Sequence, residues 1–361
     1  MNKIYNFSAG PSMLPKEVMI EAQNNFLNWN NYSYSMMEIS HRSQNFLNMV
    51  EQTEENLRIL LNVPKNYKIL FSQGGARGQF SVIPMNLLNK NDIADYICSG
   101  YWSSSASKEA EKYCIVNKIN VVKKIDNKKI VIPMKEWKTN PNSNYIHYCQ
   151  NETISGIFIP EEPKFINKHI ICDLSSCILS QSIKIENYSL IYASAQKNIG
   201  PSGITLIIIK EDLIKQSKQN TPSILDYKIL LTHDSMFNTP PTFSWYLCGL
   251  VFKWLKKNGG IKEIEKINKK KAYLLYSLID NSDFYINDIH CDNRSIMNIV
   301  FRLIDPSLEL LFLTESTNFG LLFLKNHKIL GGIRASIYNS MPIDGIYALI
   351  KFMIYFEKRY G

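Results

Sequence analysis

One lysine and one aspartate set the chemistry this chain could perform. Lys197 lies in the loop Ser194-Ala-Gln-Lys-Asn-Ile-Gly-Pro-Ser-Gly203, between two apolar runs, 190–193 and 204–209. Both runs read as short buried strands, and Gly200, Pro201 and Gly203 close the loop with turn chemistry. A lysine held between buried strands loses part of its hydration, which lowers its pKa and leaves a neutral amine that attacks aldehydes. An isolated loop lysine merely reaches solvent, so its companions decide. Asp173 ends the apolar run Ile170-Ile-Cys-Asp173, 24 residues before Lys197. A carboxylate at a strand end commonly caps the next element. Beside a buried lysine it has a second use, holding a pyridine nitrogen protonated as a pyridoxal 5′-phosphate (PLP) site requires.

Three further features fit such a site. Gln73-Gly-Gly-Ala-Arg-Gly78 stands between a strand pattern and a helix pattern. Glycines there admit a ligand close to the backbone, and a helix start favours an anion. The run matches neither a dinucleotide fingerprint nor a Walker loop. Trp102 opens a helix after a strand and offers a flat face for stacking. Thr153, in Cys149-Gln-Asn-Glu-Thr153, follows another strand, where its hydroxyl reaches the same cleft.

The elements that must position these residues alternate. Residues 1–15 form an extended arm, and helical patterns cover 16–30 and 44–62. Strand-like runs then fall at 68–71, 93–99, 119–123, 145–149, 170–174, 190–193 and 204–209, with helices at 80–88 and 102–114. Short strands alternating with helices predict an α/β fold with a mostly parallel sheet and ligands at the carboxyl ends of the strands. After 209 the pattern changes to helices at 242–257 and 261–279, then strand, helix, strand and helix to 359. The expected division is a large domain, 16–259, and a smaller α+β domain, 260–361, on which arm 1–15 packs.

Composition sets the outer limits. The chain has 361 residues, 45% of them hydrophobic and 20% charged, and a formal net charge of +9, values that suit a globular protein with a sizeable core. The lysines are scattered, and the cluster at 266–271 falls in a helical pattern whose charges read as a solvated face. A nucleic-acid partner is therefore not expected, whereas a basic cleft suits an anionic substrate. Seven cysteines with no paired spacing argue against a disulfide framework or a metal site and predict a reducing compartment. No apolar leader or spanning segment is visible, so a cytoplasmic protein with no membrane partner is expected.

An ordered series of motifs adds a family resemblance. Phe7-Ser-Ala-Gly-Pro-Ser-Met-Leu-Pro15, Glu38-Ile-Ser-His-Arg-Ser43, Gly74-Gly-Ala-Arg-Gly-Gln-Phe80, Tyr101-Trp102, Asn151-Glu-Thr153, Cys172-Asp-Leu-Ser-Ser176, the Lys197 loop, Phe237-Asn-Thr-Pro-Pro-Thr242 and Gly331-Gly-Ile-Arg-Ala-Ser-Ile-Tyr-Asn339 run the length of the chain. Together they closely resemble the phosphoserine aminotransferase family of class V, fold-type I PLP enzymes. The resemblance implies that Lys197 binds PLP covalently and shuttles a proton, that Asp173 pairs with the ring nitrogen, and that Trp102 stacks on the ring. It implies that Thr153 bonds beside the ring oxygen and that Ala76, Arg77 and Gln196 hold the phosphate. Asn238 and Thr239 would reach in from the second subunit of a homodimer. His41, Arg42, His327, Lys328 and Arg334 would bind substrate anions, with Lys328 standing where many relatives carry arginine.

The implied reaction is reversible amino transfer between glutamate and 3-phosphohydroxypyruvate, giving 3-phosphoserine and 2-oxoglutarate, in serine biosynthesis. A pyridoxine-pathway reaction, yielding 4-phosphohydroxythreonine, is also implied. The alternative is another class V enzyme such as a cysteine desulfurase. That chemistry needs a mobile nucleophilic cysteine, and Cys291, between His290 and Asp292, is the late-chain candidate.

Overall fold

The computed structural model describes residues 3–218 and 220–361. Its centre is a seven-stranded sheet ordered Tyr67–Ser72, Thr205–Lys210, Leu190–Ser194, His169–Asp173, Tyr145–Cys149, Ile93–Cys98, Ile115–Asn120. The pairs among the last five strands are all parallel. Thr205–Lys210 alone runs against both its neighbours. The chain forces this exception, because the ten residues 195–204 that precede this strand contain no helix. A parallel return needs a crossover of a dozen or more residues, usually helical. The Lys197 loop is therefore a hairpin end at the carboxyl edge of the sheet.

Both faces of the sheet are covered, as a mostly parallel sheet requires. Along Thr205–Lys210 the side chains alternate between two cores. Leu206 and Ile208 join Phe46, Leu57, Trp245 and Val251 from helices Gln44–Leu61 and Thr242–Lys257. Ile207 and Ile209 join Phe80, Ile83 and Ala106 from helices Gly75–Leu87 and Tyr101–Ala110. Each fully buried aliphatic side chain contributes roughly 1.5–3 kcal/mol, so the strands flanking Lys197 are among the firmest in the chain.

The carboxy-terminal part builds an antiparallel sheet, ordered Tyr285–Ile286, Asn298–Leu303, Ile333–Ser336. Its core holds Leu275, Phe301, Phe312 and Phe352, together with Tyr5 and Phe7 of the amino-terminal arm. Tyr5–Asn6 pairs in parallel with Leu321–Leu322. Helix Gly260–Asp280 spans both regions: Ile261 and Ile264 belong to the first core, Ala272 and Leu275 to the carboxy-terminal one.

Three local expectations need correction. The first helix ends at Asn24 rather than near residue 30, and Asn30 and Asn31 take positive φ. Asparagine side chains compete for backbone groups there, as when Asn28 Oδ1 accepts from the Ser33 N–H at 2.8 Å. The expected strand at 119–123 is two elements. Ile115–Asn120 belongs to the sheet, and Val122–Ile125 starts a hairpin that turns at Asp126 and Asn127, both with positive φ. The solvated lysine face also fails at its end. Lys266 and Lys269 pair with Glu263 and Glu265 at the surface, but Lys271 is wholly buried.

Candidate active site

The carboxyl ends of the sheet strands, the first turn of Gly75–Leu87 and the strand Ile333–Ser336 enclose a cavity of about 320 Å³. That volume lies within the range of small-molecule sites. Lys197, Asp173, Trp102, Thr153, Ala76, Arg77, Gln196, His327 and Arg334 all line it. Sequence positions from 76 to 334 thus converge on one space.

Lys197 is half-buried, and the arm braces its backbone. The Ser12 hydroxyl donates to the Lys197 carbonyl at 2.6 Å, and the Ser12 N–H to the Gln196 carbonyl at 2.9 Å. Desolvation lowers the lysine pKa, and the charge of Asp173 opposes that shift. Asp173 is buried, which raises its own pKa against the pull of Lys197 and a bond from Ser175. One carboxylate oxygen accepts from the Ser175 N–H at 2.8 Å, while the other meets the Cys149 thiol at 3.9 Å. A buried carboxylate oxygen with so weak a partner has capacity for a charged N–H donor from the cavity.

Trp102 is fixed at both ends of its residue. Its indole N–H donates to Thr153 Oγ1 at 2.8 Å, and its backbone N–H donates to Glu152 Oε2 at 2.9 Å. Glu152 Oε1 accepts from both the Ser103 N–H and the Ser103 hydroxyl, at 2.8 and 2.7 Å. The carboxylate thus caps the start of Tyr101–Ala110. Burial raises its pKa, and the donors from Ser103 and Trp102 counter the rise. Lys197 Nζ lies 5.8 Å from the Trp102 ring and the Arg77 guanidinium 5.1 Å from it.

The glycine run forms the helix start itself, because Gly75–Leu87 begins inside it. Gly74 and Gly75 have φ of 93° and 64°, a conformation that other residues adopt at a cost. The Gly75 and Ala76 N–H groups donate to Thr205 Oγ1 and Ser194 Oγ, each at 2.7 Å. Ala76 therefore borders the cavity with its N–H already engaged. Opposite, an Arg334 Nη–H donates to the Thr153 carbonyl at 3.1 Å. Burial lowers its pKa, and only Tyr338 offsets that shift. Among the described residues no carboxylate pairs with this guanidinium, which is held over the cavity.

These residues fit PLP. The cavity offers an amine for an aldehyde, a buried carboxylate with an acceptor to spare, an indole and a helix start with arginine for a phosphate. Five expected residues stand outside the cavity lining. Arg42, Lys328 and Thr239 are exposed, and His41 and Asn238 are half-buried. Sequence reasoning missed Glu152, Ser194 and Asn151. Glu152 sits inside the Asn151-Glu-Thr153 motif among polar neighbours, and nothing in its local sequence marks it as buried.

The model of the family "Aminotransferase class-V" matches residues 4–349. A phosphoserine aminotransferase of Buchnera aphidicola subsp. Acyrthosiphon pisum (strain Tuc7) is 60% identical, with all of both chains covered. Its counterpart from Buchnera aphidicola subsp. Schizaphis graminum is 58% identical over the same extent. Among solved structures, the phosphoserine aminotransferase of Bacillus circulans subsp. alkalophilus superposes with a TM-score of 0.95 at 38% identity, covering 99% of each chain. A PLP-bound phosphoserine aminotransferase from Trichomonas vaginalis gives 0.91 at 36%, covering 98% of this chain and 100% of the other.

Proposed function

The chain belongs to the class V aminotransferases, and from that membership we propose that it transfers the amino group of glutamate to 3-phosphohydroxypyruvate, giving 3-phosphoserine. The observation that carries this reading is the convergence of the half-buried Lys197, the buried Asp173 and Arg334 on one cavity. Bound PLP supplies the electron sink that lets an α-amino acid lose its α-proton.

The chain's residues do the rest. Asp173 would hold the proton on the ring nitrogen and Trp102 would offer its face to the ring, with Thr153 fixing the indole edge. The helix start at Arg77, with Gln196, takes the phosphate. Lys197 would hold the cofactor and, with its amine free, would move the proton between the substrate α-carbon and the cofactor carbon that receives it. Arg334 binds the α-carboxylate through a planar fork. His41, Arg42, His327 and Lys328 receive the distal phosphate or the glutamate side-chain carboxylate.

His41, Arg42 and Lys328 lie outside the cavity lining of their own chain, and we infer that a second subunit completes the site, with Asn238 and Thr239 reaching across a homodimer interface. Three features support this. Asn238 and Thr239 lie outside their own chain's cavity, Phe237 beside them is exposed, and so are Phe26 and Leu27. Phe26 packs edge-on at 5.9 Å to Phe243, the residue that follows the 237–242 segment. The seven cysteines are free thiols, in keeping with a cytoplasmic enzyme. The test is kcat/KM for 3-phosphoserine and for serine with 2-oxoglutarate as acceptor. Phosphoserine should be preferred by at least about 10³-fold, because an unfilled set of cations rejects the smaller substrate. Equal use of serine would refute the assignment.

A further inference from the structure

Lys271 is completely buried, yet it has no carboxylate partner among the described residues. Its Nζ donates to three backbone carbonyls, those of Ile337 at 3.0 Å, Tyr338 at 2.8 Å and Met341 at 3.1 Å. Three acceptors match the three N–H bonds of an ammonium group. One helical turn earlier, Asn268 Nδ2 donates to Asn339 Oδ1 at 2.8 Å and to the Ser180 carbonyl at 3.0 Å. Two side chains of helix Gly260–Asp280, spaced i and i+3 on one face, thus grip the same turn, residues 337–341. Burying a lysine costs free energy, and burial pushes this pKa down to about 7. A leucine would fill such a position more cheaply.

What the turn touches explains the cost. It follows directly on Ile333–Ser336, the strand that carries Arg334. The Tyr338 hydroxyl donates to the carbonyl of Ala9, a residue of the cavity wall, at 2.8 Å. The Asn339 N–H donates to Asn198 Oδ1 at 3.0 Å, and Asn198 follows Lys197. Arm, Arg334 strand and Lys197 loop therefore meet at one turn.

We infer that Lys271, with Asn268, is a positioning residue for substrate recognition: it fixes residues 337–341 and thereby sets Arg334 and the arm against the Lys197 loop. This rests on the amino-transfer reading above, with Arg334 as the carboxylate fork. Both half-reactions use that fork, so both substrates should respond. A misplacement of about 1 Å in such a clamp costs on the order of 10²-fold in rate or binding.

The experiment uses the PLP-loaded full chain. Lys271→Met keeps the packing volume and removes the three donors. Tyr338→Phe cuts the link to Ala9 and leaves Lys271 in place. Each is assayed for KM and kcat with glutamate and with 3-phosphohydroxypyruvate, for the dissociation constant of glutarate, and for melting temperature. Lys271→Met should raise both KM values and the glutarate constant about tenfold or more, with kcat within about threefold. Tyr338→Phe should raise them in the same sense with a melting temperature near wild type. If Lys271→Met does not fold, Tyr338→Phe decides alone. Unchanged KM and glutarate binding in the folded variants, or a fall confined to kcat, overturns the inference. A wild-type protein that binds glutarate but transfers no amino group would instead overturn the amino-transfer reading.

Discussion

Gly100 gives a quantitative test of how Trp102 is held. A β-carbon at this position would lie 2.5 Å from Glu152 Cδ, 2.7 Å from its Cγ and 2.7 Å from its Oε2. The backbone of Gly100 is extended, with φ of −179°, so alanine adds no torsional strain and the effect is purely steric. Glu152 has no room to yield, because it is fully buried and bound to Trp102 and Ser103. Overpacking of this kind costs roughly 1–3 kcal/mol, and loosening the cap adds about 1 kcal/mol. At about 2.1 cal/mol/K per residue, the unfolding entropy of 361 residues is about 0.76 kcal/mol/K. A loss of about 2–4 kcal/mol then lowers the melting temperature by about 3–5 °C. Melting is measured on the protein freed of PLP, since a bound ligand shifts the transition by mass action. A double-mutant cycle of Gly100→Ala with Glu152→Ala isolates the contact, because truncating Glu152 removes the atoms that the added β-carbon would strike. The two substitutions together should fall short of the sum of their separate effects by about 2–4 kcal/mol, the whole loss assigned to the contact. Trp102 fluorescence should also report weaker PLP binding in Gly100→Ala. A single variant melting within about 1 °C of wild type, or strict additivity in the cycle, refutes the account of Glu152 as the anchor of Trp102.

Lys197, whose pKa burial lowers from the ordinary 10.5, should react with a small aromatic aldehyde in the PLP-free protein at a rate that rises with pH. The midpoint should fall below 10.5 and drop further in Asp173→Asn, because the opposing negative charge is gone; a midpoint at 10.5 or above contradicts this. Borohydride treatment of the loaded enzyme should fix PLP on the Lys197 peptide, and labelling of another lysine would remove the assignment. Asp173→Asn should slow the single-turnover half-reaction by about 10²-fold or more with melting little changed, and a near-normal rate would make the aspartate structural. Lys197→Ala mixed with the Asn238→Ala, Thr239→Ala double variant should regain activity after subunit exchange, while no recovery alongside a fully active monomer would exclude the shared site.

The sequence made the Lys197 loop legible because several local signals coincide there. Buried strand patterns, a glycine- and proline-closed turn and one lysine all fall within 21 residues, 189–209. Asp173 was legible for the same reason, at the end of an apolar run. Strand order and the antiparallel Thr205–Lys210 were not read, since period-2 patterning records faces and not neighbours. The first helix was overextended because Phe26 and Trp29 keep the helical period while the asparagines around them break it. The placement of Arg42 and Lys328 outside the cavity lining could not be foreseen either, because exposed residues carry no periodic signal of what they face.

Glu152 and Lys271 share the reason they were overlooked. Each is a charged residue at a position that side-chain statistics assign to the surface, and each is buried by contacts from distant parts of the chain. Glu152 meets the helix start at 102–103, about 50 residues away, and Lys271 meets a turn about 70 residues away. Such pairings leave no trace in local composition. Both residues bond to backbone groups and not to opposite charges, so charge patterning along the helix does not reveal them. Their partners are the backbones that carry Trp102 and Arg334. A buried charge that grips backbone constrains the path of the chain, whereas an apolar side chain in its place would leave those backbone groups unpaired. The cofactor and substrate contacts could thus be read from motifs, while the groups that aim them became visible only once the chain was folded.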